Sequence, residues 1–343
     1  MRKNASAPTG TVHRLDHDSA LLAGNAPGDP ARRVVEVYTP PGYDPSRRYP
    51  LLVDLAGYIG SGRSHSNWKP FGLSLPERMD RLIHHGMPPA VVVLPDLFTC
   101  YGGNQYINSE GTGPYMDHLC DELVPLVESR FAAGGRRENR GIFGKSSGGY
   151  GALMHGMLRP ETWAAIACHS GDMGFEYCYI PDFSVLLTQI DRHGSLDNFL
   201  EWVWSREKLK HDETTALMIV GMAAHYDGDS AATRGFHLPF HARTGRILPA
   251  RWARWCEWDP VQRVAHHVEA LRSLRLLYLD IGRRDQYRLL WGARQLKEQL
   301  DQHGLVSVYE EFDDDHSDID YRLDRSLPLL VGALDSALAP REG

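Results

Sequence analysis

At 343 residues, with 42% hydrophobic and 24% charged content, the chain has an ordinary soluble composition and enough apolar residues for one large or two ordinary domains. The balance of 44 acidic against 37 basic residues gives −7 with no basic block, which argues against nucleic acid or an anionic membrane surface as a partner. Cys100, Cys120, Cys168, Cys178 and Cys256 are an odd, scattered set without C-x-x-C spacing, so neither a disulfide framework nor a zinc knuckle is supported. They read as reduced thiols. Met1-Arg2-Lys3 has no apolar run behind it and no later run is long enough to span a bilayer, so a cytoplasmic protein is expected.

After a polar lead, residues 33–38 alternate as a half-exposed strand and end in the turn cluster Thr39-Pro40-Pro41-Gly42-Tyr43, so early antiparallel strands are expected. Residues 51–55 form a buried apolar strand that runs into the flexible loop Ala56-Gly57-Tyr58-Ile59-Gly60-Ser61-Gly62. A helix over 75–85 and a strand over 90–94 follow. The loop 97–114 is long, polar and aromatic, which favours a functional role, and Gln105 within it is a candidate substrate contact. From 115 to 131, Leu119, Leu123, Val127 and Phe131 recur every four residues as one apolar helical face, with Pro125 a kink.

The run Gly141-Ile142-Phe143 then leads into Gly144-Lys145-Ser146-Ser147-Gly148-Gly149 and the apolar helical stretch 150–158. Strand, sharp turn and helix is the setting in which a G-x-S-x-G turn lifts a serine, here Ser146, above the end of a parallel sheet. A P-loop would need glycine at 139, where Asn139 stands. A further strand, 164–168, leads into His169-Ser170-Gly171-Asp172. Between 173 and 262 the alternation lapses and five of the eight tryptophans gather, including Trp252 and Trp255, which reads as an inserted helical cap with those two residues as candidate substrate contacts. Alternation resumes with a strand over 274–281, a helix over 287–303, a strand over 306–312 and a last helix over 319–338.

Repeated β–α alternation around an insertion implies an α/β fold: a mostly parallel sheet with helices on both faces, its core formed by 1–172 and 263–343 around the cap at 173–262. A serine hydroxyl is a poor nucleophile at neutral pH, so acyl chemistry needs a base and an acid to orient it, both on loops after later strands. The loop after the last strand carries Asp313-Asp314-Asp315-His316, which nominates His316 as base. The loop after the preceding strand carries Asp285, preferred as acid over Asp280, which lies inside the strand. The order Ser146, Asp285, His316 is that of α/β-hydrolases. The oxyanion donors expected are the N–H groups of Ser147 and of Tyr58. No cluster has convincing ligand spacing, so neither a metal nor a cofactor is assigned.

Tyr38-Thr39-Pro40-Pro41-Gly42-Tyr43, residues 51–57, residues 122–131, residues 144–149, Gly282-Arg283-Arg284-Asp285 and Asp315-His316 together resemble the putative-esterase family of α/β-hydrolases, which includes esterase D, feruloyl and acetyl-xylan esterases, enterochelin esterases and the antigen 85 acyltransferases. The resemblance implies an eight-stranded α/β-hydrolase fold, a Ser146–His316–Asp285 triad, Tyr58 and Ser147 as oxyanion donors, and a small-molecule ester as substrate, with acyl transfer to an alcohol or sugar as the alternative reaction. Two departures stand out: Ala56 occupies the place where many members have histidine, and the cap is larger. The tryptophans suggest an ester with an apolar or aromatic group; a homo-oligomer and a non-catalytic binding module are the other readings considered.

Overall fold

The computed structural model describes residues 8–335. Eight strands form the central sheet: β1 (Thr11–Asp18), β2 (Arg32–Thr39), β3 (Leu51–Leu55), β4 (Val91–Pro95), β5 (Arg140–Lys145), β6 (Ala165–His169), β7 (Leu276–Gly282) and β8 (Val308–Phe312). Their order across the sheet is β1-β2-β4-β3-β5-β6-β7-β8. β2 pairs antiparallel with both β1 and β4, and every pair from β4 to β8 is parallel. The sheet is therefore mixed at one edge and parallel elsewhere. β1 lies in the stretch expected to be a polar lead; its burial alternates between exposed and half-buried residues, as an edge strand facing water requires.

The central strands are buried on both faces, and their successive side chains feed two cores because the strand repeat is two residues. Val91 and Val93 of β4 join the larger core with Val53 and Ile142, while Val92 and Leu94 join the smaller one with Leu52 and Phe143. The smaller core is closed by α1 (Leu75–His84) through Leu75 and Met79 and by the C-terminal helix (Leu323–Asp335) through Leu327, Leu330 and Val331. α1 starts where Ser74 and Glu77 form a reciprocal capping box. The last expected helix begins with a 3₁₀ turn (Ile319–Arg322), and residues 336–338 of that expectation lie outside the described residues.

The 115–131 expectation is met with one local difference. Tyr115–Asp117 and Val124–Arg130 are α-helical, but His118–Leu123 between them is a π turn, in which Val124 N–H bonds to Leu119 O. The extra residue sits just before Pro125, whose missing N–H already breaks the regular ladder. Leu119, Leu123 and Val127 are all fully buried along the expected face.

Between β6 and β7 the chain is helical, with α2 (Ile180–His193), α3 (Leu196–Trp204), α4 (His211–Tyr226) and α5 (Pro249–Cys256) as its longer helices. α4 is apolar on all sides, from Ala216 to Ala224, and accordingly sits buried at the centre of the segment. It covers the 97–114 loop: Gln105 N–H donates to His225 Nε2, Ser109 Oγ donates to Ala224 O, and a Cβ on Gly111 would lie 2.3 Å from that carbonyl. That loop is thus an ordered, buried wall. No helix among the described residues is long and apolar enough to cross a membrane.

Candidate active site

Parallel strands end at a common edge, so the loops after β3, β5, β6, β7 and β8 converge. Register makes this concrete: Leu55 pairs with Gly144, Lys145 with His169, His169 with Asp280, and Gly282 with Phe312. Ser146 is the first residue beyond β5. Its φ of 58° and ψ of −127° are an uncommon conformation for a residue with a side chain. Its N–H donates to His169 O at 2.9 Å, and its carbonyl accepts from Tyr150 N at 2.9 Å. Close approach explains the flanking glycines: a Cβ on Gly148 would lie 1.9 Å from Leu55 O, and one on Gly144 would lie 2.5 Å from the same oxygen. The turn is held against β3 and β6 on both sides.

His316 Nδ1 and Asp285 Oδ2 are 2.7 Å apart. Asp285 Oδ1 accepts the Tyr287 N–H at 2.9 Å, His316 N–H donates to Gln286 Oε1 at 3.0 Å, and the Tyr287 ring lies edge-on to the imidazole at 4.8 Å. The two loops are further tied by Arg283 N–H to Phe312 O and Arg284 N–H to Asp314 O. Ser146 and His316 line one cavity of about 470 Å³, together with Gly57, Tyr58, Ser147 and Asp172. The wall from the inserted segment is Cys178, Tyr179, His211, Thr214, Thr215 and Met218. Burial pushes the Cys178 thiol well above its ordinary range, so it stays protonated and is a poor nucleophile.

Asp280 has other partners. His169 Nδ1 lies 2.7 Å from its Oδ1, and Arg322 Nε and Tyr278 O–H donate to its Oδ2. His169 Nε2 in turn meets Ser326 Oγ at 2.8 Å. This buried Ser326–His169–Asp280 arrangement imitates a triad, but Ser326 is fully buried within the C-terminal helix and no substrate can reach it. Burial pushes Asp280 up, yet His169 and Arg322 outweigh it and hold the carboxyl below the ordinary value. The neighbouring acidic run has mundane partners too: Asp313 pairs with Arg284, Asp314 accepts from Tyr321, and Asp315 accepts from Ser317 N.

Gly57 lies against Ser146: a Cβ added to it would stand 3.5 Å from Ser146 Cβ. The Tyr58 phenol points away and donates to Tyr101 O at 2.6 Å, while Tyr58 O accepts from Gly103 N at 2.7 Å. The Tyr58 backbone is pinned, and no backbone carbonyl among the described residues takes its N–H. Ser147 opens a helix of twelve residues (Ser147–Leu158), whose first N–H groups lack intrahelical acceptors.

Three residues nominated as substrate contacts stand elsewhere. Gln105 is fully buried behind the cavity wall, with Nε2 donating to Ser147 Oγ at 2.8 Å. Trp255 is fully buried in the core of the inserted segment against Tyr179, Phe183, Tyr226 and Trp252, and Trp252 packs there too. Neither tryptophan lines the cavity, so their clustering reflects packing. Conversely, Asp172 and Tyr179 do line it and carry no sequence signal, because a lone acid after a strand is indistinguishable from a solvated loop residue.

Among the described residues, one group has metal-ligand types within reach of one another: His17, His118 and Glu122. Its arrangement suits a structural tie better. Glu122 accepts from Ser19 Oγ, Ala20 N and Leu21 N as well as from the histidines, and His118 Nε2 is buried without a partner. Ligation through His118 Nδ1 would force a proton onto that orphaned nitrogen.

The family model described as "Putative esterase" matches residues 30–324. The chain belongs to that family. It is accordingly an enzyme of the serine esterase type, built on an α/β-hydrolase fold. Solved structures that share the fold include a ferulic acid esterase, with a TM-score of 0.61 at 17% identity over 95% of this chain and 99% of that one. A ferulic acid esterase from Anaeromyces mucronatus in complex with ferulic acid gives 0.60 at 15% identity, covering 97% and 95%. An S-formylglutathione hydrolase from Agrobacterium tumefaciens gives 0.57 at 16% identity, covering 97% and 99%. All five cysteines of this esterase are free.

Proposed function

We propose that the protein hydrolyses carboxylic esters through an acyl-enzyme on Ser146. The observation that carries the reading is the Asp285–His316 pair opening into the same cavity as the strained Ser146. A carboxylate only accepts hydrogen bonds, so His316 carries its proton on Nδ1 and leaves Nε2 free to take the serine proton. Ser146 Oγ then attacks the ester carbonyl. The oxyanion is met by the N–H groups of Ser147 and Tyr58, the first backed by the helix N-terminus. Protonated His316 hands its proton to the departing alcohol; a water, deprotonated by the same nitrogen, releases the acid. No metal or cofactor is needed by these steps.

The residues 173–262 act as the cap over this site, and the ester is a small molecule. Five free thiols suit a reducing compartment, which supports the cytoplasm as its location. The test is hydrolysis of p-nitrophenyl acetate through octanoate alongside Ser146→Ala. Turnover that disappears in the variant, together with fluorophosphonate labelling of the wild type alone, is the expected result. A folded wild-type protein that neither hydrolyses an ester nor takes the label would overturn the reading.

A further inference from the structure

Asp172 is a carboxyl group in the cavity that the ester chemistry above does not use. It lies three residues beyond β6, beside Ser146 and His316 in the cavity lining. Three donors reach it, and all three converge on one oxygen: Tyr179 O–H at 2.9 Å, Ser147 Oγ at 3.3 Å and Gln105 Nε2 at 3.4 Å meet Oδ2. No donor among the described residues bonds to Oδ1. Yet the residue is not sealed off: it keeps 8% exposure, and the cavity is what it lines.

The surroundings argue against a mere tie between loops. Burial pushes the Asp172 carboxyl up despite Tyr179, His316, Gln105 and Ser147, so the charged form is held at a cost. The nearby group whose positive charge would favour ionisation is the His316 imidazole once it has taken up a second proton, and no arginine or lysine among the described residues forms an ion pair with Asp172. Gln105 is also held at a cost, since its Oε1 is buried without a partner while its Nε2 serves Ser147 and Asp172. An amide or hydroxyl at 172 could accept the same three bonds. What the carboxyl adds is a second acceptor oxygen, Oδ1, which is not among the side-chain atoms buried without a partner and belongs to a residue that lines the cavity.

We propose that Asp172 Oδ1 accepts a hydrogen bond from a substrate hydroxyl, so that the preferred substrates are hydroxylated esters. This rests on the esterase reading and names its substrate class. The lining carries the basic side chains Lys145, His211 and His316 beside Asp172 and Asp318, so it is not a dedicated cation site and a neutral donor is the ligand assigned. Thr214 and Thr215, facing the cavity from α4, offer further hydroxyls to a polar substrate. With Trp252 and Trp255 buried in the segment's core, the cavity has no tryptophan platform for a large aromatic group.

The experiment compares matched esters by pH-stat titration: methyl 3-hydroxybutanoate against methyl butanoate, and glyceryl monobutanoate against propyl butanoate. The first pair puts the hydroxyl on the acyl side, the second on the alcohol side. In at least one pair kcat/KM should favour the hydroxylated member by about tenfold or more, the discrimination expected of a bond to a buried acceptor. Asp172→Asn should cut that ratio about fivefold or more, because its oxygen stays with Tyr179 and its amide offers the hydroxyl only a neutral N–H donor in place of a carboxylate acceptor. Several results would overturn the proposal: no preference in the wild type, a preference that survives undiminished in Asp172→Asn, or an equal loss on both members of a pair. Faster turnover of methyl 3-aminobutanoate than of its hydroxyl counterpart would replace the hydroxyl with a cation. If no ester is hydrolysed at all, the esterase reading itself falls; if all are hydrolysed without discrimination, only the role of Asp172 does.

Discussion

Replacing Asp285 with asparagine tests the site at its most sensitive joint. In the wild type, Asp285 Oδ1 accepts the Tyr287 N–H at 2.9 Å, and Oδ2 faces His316 Nδ1 at 2.7 Å. The asparagine oxygen can serve only one of these positions. The Tyr287 amide is a fixed donor, so the oxygen stays there and the new N–H groups face the imidazole. His316 Nδ1 must then accept, which moves the ring proton to Nε2, the nitrogen that has to be empty to activate Ser146. The fold should barely notice a change of one atom. Loss of the correct tautomer costs about 10⁴-fold in kcat, equivalent to about 5 kcal/mol of barrier. Steady-state hydrolysis of p-nitrophenyl acetate, with thermal unfolding recorded in parallel, separates the two effects: kcat should collapse while KM and the unfolding temperature change little. A loss of less than tenfold in a folded Asp285→Asn protein would refute the assignment of this acid.

The rival acid should behave oppositely. Asp280→Asn leaves His169 and Arg322 facing a neutral amide in a buried network, and should cost about 3–5 kcal/mol of stability, read by urea unfolding. Gly148→Ala drives a Cβ to 1.9 Å from the Leu55 backbone carbonyl, which cannot move aside as a side chain could, and should destabilise by about 3 kcal/mol or more or leave no soluble protein. Trp255→Ala removes a fully buried ring that packs against Tyr179 of the cavity wall and should cost about 3–5 kcal/mol in denaturant unfolding. Burial pushes His155 down to about 3 and His118 and His225 to about 4, from an ordinary 6.5. Below 6.5 the unfolded chain therefore binds protons that the folded one refuses, so stability is full above that pH and falls progressively towards pH 4. A thermal midpoint that stayed flat from pH 6.5 to 4 would contradict this.

The legible parts of the sequence are those with local causes. The apolar run 51–55, its counterpart at 90–94 and the strand–turn–helix around Ser146 each depend on neighbouring residues, and each stands where the pattern puts it within a residue or so. Edge strand β1 carries no such mark, because an exposed edge needs no apolar run; it is defined by pairing with β2. The tryptophans mislead for the complementary reason. Composition reports that a segment is rich in aromatics, but which of them faces a ligand depends on how helices 180–193, 211–226 and 249–256 pack together.

Local rules alone therefore set the alternation of strands and helices and the glycine-flanked turn that presents Ser146. These follow from backbone sterics and from periods of two and 3.6 residues, which act over a few neighbours. Packing chose which aspartate meets His316: Asp280 and Asp285 are five residues apart, but Asp280 is claimed by His169 and Arg322 while Asp285 is free to face the imidazole. Packing also put Asp172 in the same cavity wall as Ser146, with three donors on one oxygen. Contacts between Gln105, Ser147, Asp172 and Tyr179 join three separate loops and a helix end, and no rule that acts over a few neighbours carries information across such separations in the chain.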